Sequence, residues 1–286
     1  MNKISWQYIV PKHLISCVFG NLAYCKIVWL KNVLIYLFFK NYAIDMKDAL
    51  EPNIYNYPNL ASFFIREARK EARPFACNNK DIACPVDGKI SQIGKINEDK
   101  IIQAKGINFD LMKLLGGNSS YVKEFCNGDF ATIYLAPHNY HRVYMPMDGV
   151  LEKIIYIPGE LFAVNNKSAS TIPDLFARNE RMVIFFDTVF GRMAVVLVGA
   201  MIVSGIKTPW AHETNQYQVL DYTNKKINLL RGDEIGYFTF GSTVILLFQK
   251  DAALWDELSS IVGNSVKIGQ LLGVCENTLV STILPA

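Results

Sequence analysis

The sequence predicts an α+β protein: a helical N-terminal segment that associates with a membrane, then a β-rich domain that carries the candidate catalytic residues. Three observations lead there. Residues 1–50 combine apolar and aromatic runs (WQYIV, LISCVFGNLAYC, IVWL, VLIYLFF) with six Lys and two Asp. From about residue 80 the texture changes to short β-branched or aromatic runs punctuated by Gly, Pro, Asn and Asp. At 286 residues, 51% hydrophobic and 19% charged, the chain has ample material for a core and lacks the composition of a disordered one. The change of texture puts the boundary at residues 75/76.

The N-terminal segment comes first. Residues 1–50 carry a balance of +4, against +3 for the whole chain, so the remainder is near −1. Lys26 and Lys31 interrupt the apolar runs, and no window offers the ~20 uninterrupted apolar residues of a spanning helix. A small-residue cleavage site is lacking, and Tyr24 before Cys25 does not suit lipoprotein processing. The pattern fits basic amphipathic helices lying in an interface, with aromatic anchors and lysines toward an anionic membrane surface. The alternative is a helical layer packed on its own domain. Residues 5–50 read as helical, and so does YPNLASFFIREARKEARPF (57–75), which Pro74 ends.

In the β-rich part the strand-like runs are DGKISQIGKI, DFATIYLAP, GVLEKIIYIPG, RMVIFFDT, GRMAVVLVGAMIVSGI, GDEIGYFTFGSTVILLF and KIGQLLGV. DLMKLLGG (110–117) and ALWDELSSIVG (253–263) read as helices, each closed by Gly. Six Cys show neither CxxC nor Cys/His ligand spacing, so no metal site is expected. Without an export signal, reduced thiols point to the cytoplasm and hence to peripheral placement on the cytoplasmic face of the inner membrane. A net charge of +3 gives no ground for a nucleic-acid partner.

The chemistry sits in three places. APHNYHRVYMPMDG (136–149) puts His138, His141 and Tyr144 in a polar loop, where a rigid β scaffold tends to carry catalytic groups. CPVDG (84–88) places Asp87 before a Gly, which usually makes an Asx turn. FTFGSTVILLF (238–248) reads as one buried strand interrupted by Gly241, Ser242 and Thr243. Asp87, His141 and Ser242 are the components of an activated nucleophile, although sequence does not bring them together. An ordinary Ser hydrolase built on them lacks a nucleophile elbow around Ser242.

The Gly before the Ser suggests a different reaction. A hydroxyl attacks its own preceding carbonyl only in a strained peptide, and Gly permits such backbone. An N→O acyl shift at Gly241–Ser242 gives an ester. β-Elimination then frees the Gly carboxylate and leaves dehydroalanine, which hydrolyses with loss of ammonia to a pyruvoyl group.

At this point the sequence resembles the phosphatidylserine decarboxylase proenzymes of the proteobacterial type. The resemblance is carried by PVDGKISQIGKI, IIQAKG, YLAPHNYHRVYMP, YIPGELFAVN, LFARNERMVIFFDT, LVGAMIVSGI, FGSTVILLF and IDMKDA, in order along nearly the whole chain. It implies self-cleavage between Gly241 and Ser242, with a large chain (1–241) bound as a heterodimer to a small one (242–286). A two-fold pairing of these heterodimers is a further expectation. It also implies decarboxylation of phosphatidylserine to phosphatidylethanolamine through a Schiff base to the pyruvoyl group. By the same resemblance Asp87 belongs to the processing machinery, Ser242 is the pyruvoyl precursor and His141 is the first His of the YHRxHxP block. Tyr144 stands where that block has its second His, with His138, Tyr144 and Thr243 as supporting candidates. Phe162, Ala163, Val164 and Asn165 are candidates for the substrate pocket, Ala163 standing where the family often has Ser. Tyr144 and Ala163 also motivate the alternative of a degenerate, non-catalytic homologue.

Overall fold

An antiparallel sheet of nine strands, counted among the described residues, forms the centre of the computed structural model. The structure describes residues 19–76, 78–104, 106–200, 205–210, 216–239, 241–257 and 261–276. In chain order the strands are β1 (Asp81–Ala83), β2 (Gly88–Lys95), β3 (Lys100–Ala104), β4 (Ile107–Asp110), β5 (Asp129–Leu135), β6 (Arg142–Tyr144), β7 (Gly149–Ile157), β8 (Arg181–Thr188) and β9 (Gly191–Gly199). They continue as β10 (Ile206–Lys207), β11 (Gln218–Asp221), β12 (Ile227–Leu229), β13 (Glu234–Phe238), β14 (Ser242–Phe248), β15 (Ala253–Trp255), β16 (Ser265–Val266) and β17 (Leu271–Cys275). The helices are α1 (Val28–Asn41), α2 (Leu60–Phe64), α3 (Leu111–Leu114), α4 (Ser119–Phe125), α5 (Asn166–Ala169) and α6 (Leu175–Arg178).

The large sheet runs β11-β7-β8-β9-β14-β5-β2-β16, with β12 beside β7. β14 lies near its middle because STVILLF is apolar on both faces after its first two residues, and all seven residues are buried. It pairs with β5 and β9 over its whole length, from Ser242 to Phe248. Alternation divides its side chains between two cores. Val244, Leu246 and Phe248 join Val143, Ile206 and Phe238 on one face, and Ile245 and Leu247 join Phe64, Phe162 and Val198 on the other. A second, three-stranded sheet (β10-β13-β6) covers the first face and carries the residues that follow the histidine loop.

The N-terminal segment is an arm laid on the second face. α1 contains neither Gly nor Pro and ends where Ala43 takes a left-handed φ of 47°. Its inner face buries Ile35, which packs with Ile44, Tyr57 and Phe63 in a small core of the arm. Phe38 then links the arm to α2, with ring centroids 6.4 Å from Phe63 and 5.8 Å from Phe64.

The structure differs from several of these expectations. FTFGSTVILLF is two strands, not one: β13 ends at Phe238 and β14 starts at Ser242, so the Gly241–Ser242 peptide lies at a junction between sheets. The described residues of 253–263 hold no helix, since Ala253–Trp255 pairs with β17 and residues 261–263 are bend and turn. The alternation of Ala253 and Trp255 toward the core outweighed the helix-forming residues beside them. Residues 57–75 hold only α2 and a 3₁₀ turn at Lys70–Ala72, because the segment is drawn out by an Ala49–Ala68 bridge. The N-terminal reading holds for residues 19–23 and α1, residues 42–50 are not helical, and residues 1–18 lie outside the described ones.

α1 also departs from a simple amphipathic helix. Trp29, Val33, Tyr36 and Leu37 face outward, while Lys31 is buried. The Lys31 ammonium donates to the carbonyls of Tyr55 and Tyr57, both at 2.8 Å, so it ties the arm down and does not reach toward headgroups. Lys26 and Lys40 remain exposed. No helix among the described residues is long and apolar enough to cross a membrane.

Candidate active site

Strand register gathers the candidate residues at one end of the large sheet. Ser242 opens β14 opposite Leu135, the last residue of β5, and opposite Gly199, the last of β9. On the far side of β5, Lys89 opposes Tyr134, so the start of β2 and the preceding Asp87 lie at the same end. The close approach needs a Gly at 88, because a Cβ there would stand 2.6 Å from the Tyr134 carbonyl oxygen.

The histidine loop is bracketed onto the Gly–Ser junction. It leaves β5 after Leu135, which pairs with Ser242, and returns at His141, whose carbonyl accepts the Phe238 N–H at 3.0 Å. The connection from β5 to β6 and the connection from β13 to β14 thus lie side by side, because β5 pairs with β14 and β6 pairs with β13. Asn139 closes the first by accepting the Ala136 N–H on its side chain at 2.9 Å. Thr239 fastens the second, donating its N–H and hydroxyl to the Gly205 carbonyl at 3.3 and 3.1 Å.

His141 is fully buried, with its ring against Phe64 at 3.9 Å between centroids. Nδ1 stands 2.9 Å from the Asn139 carbonyl oxygen. A carbonyl only accepts, so Nδ1 carries the proton and Nε2 presents a bare lone pair. Burial, reinforced by the Arg66 charge, lowers the imidazole to about 3, so it is neutral at pH 7. Among the described residues Nε2 has no hydrogen-bond partner, and neither have the buried hydroxyls of Ser242 and Thr243. His141 and Ser242 are therefore brought to one junction without being hydrogen-bonded to each other. The parity of β14 turns Ser242 toward the Val143 and Phe238 core and Thr243 toward the Phe64 side.

Asp87 is held elsewhere. Arg73 grips it with two bonds, Nε to Oδ1 at 3.0 Å and Nη2 to Oδ2 at 2.8 Å, and Ile268 N–H adds a third at 2.8 Å. Arg73 also reaches Asp48 at 2.7 Å, so the arm is pinned to the start of β2 through a buried carboxylate. No Asp–His–Ser relay is formed, since His141 donates to a carbonyl and Asp87 accepts from Arg73.

His138 is exposed, and only its carbonyl faces inward. Tyr144 is half-buried beside Phe75, and burial pushes its hydroxyl up to about 12. In the 162–165 stretch Phe162 and Val164 point into the second core, Ala163 is half-buried, and Asn165 is an exposed helix cap for α5. Asn179, which sequence reading passed over, clamps this stretch to the junction. It accepts from Phe162 N–H at 3.1 Å and donates to the carbonyls of Phe162 and Gly199, each at 2.8 Å. Only its position in LFARNER hinted at such a role. Among the described residues no His, Cys, Asp and Glu cluster suits a metal.

The profile of the phosphatidylserine decarboxylase family matches residues 60–274, and a second profile, described as PSD, matches residues 3–43. A phosphatidylserine decarboxylase proenzyme of Idiomarina loihiensis is 45% identical over 268 residues, covering 91% of this chain and 92% of its own. Those of Ectopseudomonas mendocina and Azotobacter vinelandii are 44% and 42% identical, each covering 93% of this chain and 96% of their own. The chain belongs to the phosphatidylserine decarboxylase family. The activity class that the resemblance implied, self-processing with a pyruvoyl cofactor made from the chain's own Ser, is that of this family.

The residues present fit that cofactor. Gly241 holds φ at +44°, a left-handed conformation, and among the described residues nothing stands within 4 Å of where a Cβ would lie. Beside this Gly the buried Ser242 hydroxyl has no competing partner among the described residues.

The buried imidazole yields a stability test. The unfolded chain binds this proton near 6.5 and the folded one only near 3, so acidification through that window favours unfolding and stability rises with pH across it. In the uncleaved Ser242→Ala background, His141→Phe is expected to flatten the rise in urea midpoint between roughly pH 4.5 and 6.5, above the main carboxylate range. An undiminished slope contradicts the buried neutral assignment.

Proposed function

We propose that this chain cleaves itself at Gly241–Ser242 with His141 as the base, and then decarboxylates phosphatidylserine at the residue Ser242 becomes. The observation that carries this is the bracket that holds a bare, neutral imidazole nitrogen at the same junction as a buried, unpartnered Ser hydroxyl beside an open left-handed Gly.

Ser242 opens β14 on the face opposite the Phe64 ring that packs on His141, so the start of β14 has to rotate for Nε2 to take the Ser242 hydroxyl proton, a hydrogen bond that forms only in the reacting state. Oγ then attacks the Gly241 carbonyl carbon, and the nitrogen of Ser242 leaves as an amine. Elimination across the Cα–Cβ bond breaks the ester and releases the Gly241 carboxylate. Tautomerisation, addition of water and loss of ammonia complete residue 242. Thr243 Oγ1, free on the Phe64 side, supplies a hydrogen-bond donor for oxygen charge that develops in the turn. Asp87 acts through Arg73, by pinning the arm against the start of β2. Tyr144, protonated up to about pH 12, donates but does not serve as a base at neutral pH. Cleavage leaves residues 242–248 paired with β5 and β9, so the small chain stays in place.

In the decarboxylation the pyruvoyl ketone supplies an electron sink for the carbanion left by carbon dioxide. His141 is the group at the junction suited to moving a proton, while Phe162 and Val164, clamped by Asn179, border the headgroup. The arm brings the lipid to this pocket. Ile27, Val28, Trp29, Val33, Tyr36 and Leu37 are exposed, with Phe19, Leu22, Tyr24 and Tyr42 beside them. Such a continuous apolar surface suits insertion among acyl chains, with Lys26 and Lys40 at anionic headgroups and the protein peripheral on the cytoplasmic face.

Intact-mass measurement of the purified protein tests the cleavage. Two chains joined at 241/242 are expected, the smaller about 17 Da lighter than an unmodified Ser-started chain because ammonia is lost. Ser242→Ala is expected to remain a single chain. An uncleaved wild-type protein overturns the reading. For the membrane face, Trp29→Ser combined with Leu37→Ser is expected to weaken sedimentation with anionic vesicles at least about tenfold, from the apolar area withdrawn. Unchanged binding contradicts the docking face.

A further inference from the structure

Arg66 is 2% exposed, and among the described residues it forms no ion pair. Its guanidinium centre lies 4.9 Å from the Tyr140 ring centroid and 5.4 Å from that of Phe63, between two aromatic faces. Nη2 donates to the His138 carbonyl at 2.6 Å, with the Asn139 carbonyl at 3.4 Å. Nε and Nη1 are buried without a hydrogen-bond partner among the described residues. The Tyr140 hydroxyl is near enough to favour the charged guanidinium, but it is not aligned to accept a hydrogen bond. A buried cation with two idle donors, and with Asp87 acting on it only at a distance, is costly, and an aliphatic side chain would fill the same slot without that cost. Stability alone gives no reason to keep it.

Its neighbours supply one. The Asn139 carbonyl has two lone pairs, and the same oxygen that Arg66 approaches accepts the Nδ1–H of His141. We propose that Arg66 is a positioning residue for His141: it fixes the carbonyls of the 138–139 turn, and through them the tautomer that leaves Nε2 bare and aimed out of the turn. Phe64, two residues before Arg66, holds the other side of the ring. Turn geometry and ring packing are thus set from one short stretch of the arm.

The charge of Arg66 acts in the same sense, since a fixed cation opposes a second proton on the imidazole. Among the described residues the charged and titratable groups acting on His141 are Arg66, from the stretch after α2, and His138, from its own loop. Phe64 on α2 and the Phe238 backbone on β13 add none.

The inference rests on His141 being the base, and two measurements separate the claims. The first is the pH dependence of kcat/KM for the processed enzyme on phosphatidylserine in mixed micelles. Arg66→Gln is expected to raise the acid limb by at least about one pH unit. Arg66→Lys keeps the charge but loses the planar contact to the turn, so its acid limb stays in place while kcat/KM falls at every pH. An Arg66→Gln profile that parallels the wild type at all pH values marks a merely structural role and overturns the proposal. The second needs no Arg66 variant: nitrogen NMR of the His141 ring in the uncleaved Ser242→Ala protein. Nδ1–H with a bare Nε2 from pH 5 to 8 is expected, and an Nε2–H tautomer or titration near the ordinary value of about 6.5 overturns it. Full processing by His141→Ala refutes the base assignment on its own and leaves the NMR result to stand separately.

Discussion

One pair of backbone contacts organises the site: Ser242 against Leu135, and the Phe238 N–H on the His141 carbonyl. Each joins an end of the histidine turn to an end of the Gly–Ser turn. Because β14 is buried along its whole length and paired on both sides, neither turn can drift without breaking the middle of the sheet. The hydrophobic core and the reactive peptide are therefore one problem. The apolar run VILLF fixes the position of Ser242, and Ser242 lies where the packing stops and polar chemistry starts.

The polar groups at this junction run against ordinary folding economy. A bare imidazole nitrogen, two hydroxyls and two nitrogens of a guanidinium are buried without partners among the described residues, where an apolar core would be more stable. Such local conflicts are expected where function overrides packing. They are tolerated because the bracket, the Asn179 clamp and the Arg73–Asp87 pair hold the backbone around them. The arm takes part directly: Tyr42, Phe38 and Phe64 form a line of ring contacts that ends on His141. The same helix exposes its apolar face on the outside. The exposed apolar face and the His141 ring are thus two sides of one aromatic layer.

Much of this was legible in the sequence, and the misses have physical causes. The helix-then-strand order followed from composition, and Gly241–Ser242 stood out because no packed strand gains from it. Its place between two sheets was hidden, since Phe238 and Phe240 alternate as though the strand ran on. Lys31 looked like a headgroup ligand because its partners, the Tyr55 and Tyr57 carbonyls, are backbone and carry no sequence signature. Asp87 looked like part of a relay, but its partner Arg73 lies in a stretch that read only as a basic helix. Asn179 and Arg66 were missed because their roles consist of bonds to carbonyls of residues distant in sequence.

The account stands on one imidazole serving as the base, with Tyr144 unable to replace it. The direct measurement is the time course of self-cleavage of freshly synthesised chains at pH 7.5, followed by the appearance of fragment 242–286, for Tyr144→Phe and His141→Ala. The account predicts that Tyr144→Phe cleaves within about threefold of the wild-type rate, while His141→Ala is slowed by at least about a hundredfold, the usual worth of a general base. A Tyr144→Phe chain that stays uncleaved while His141→Ala is processed would contradict it.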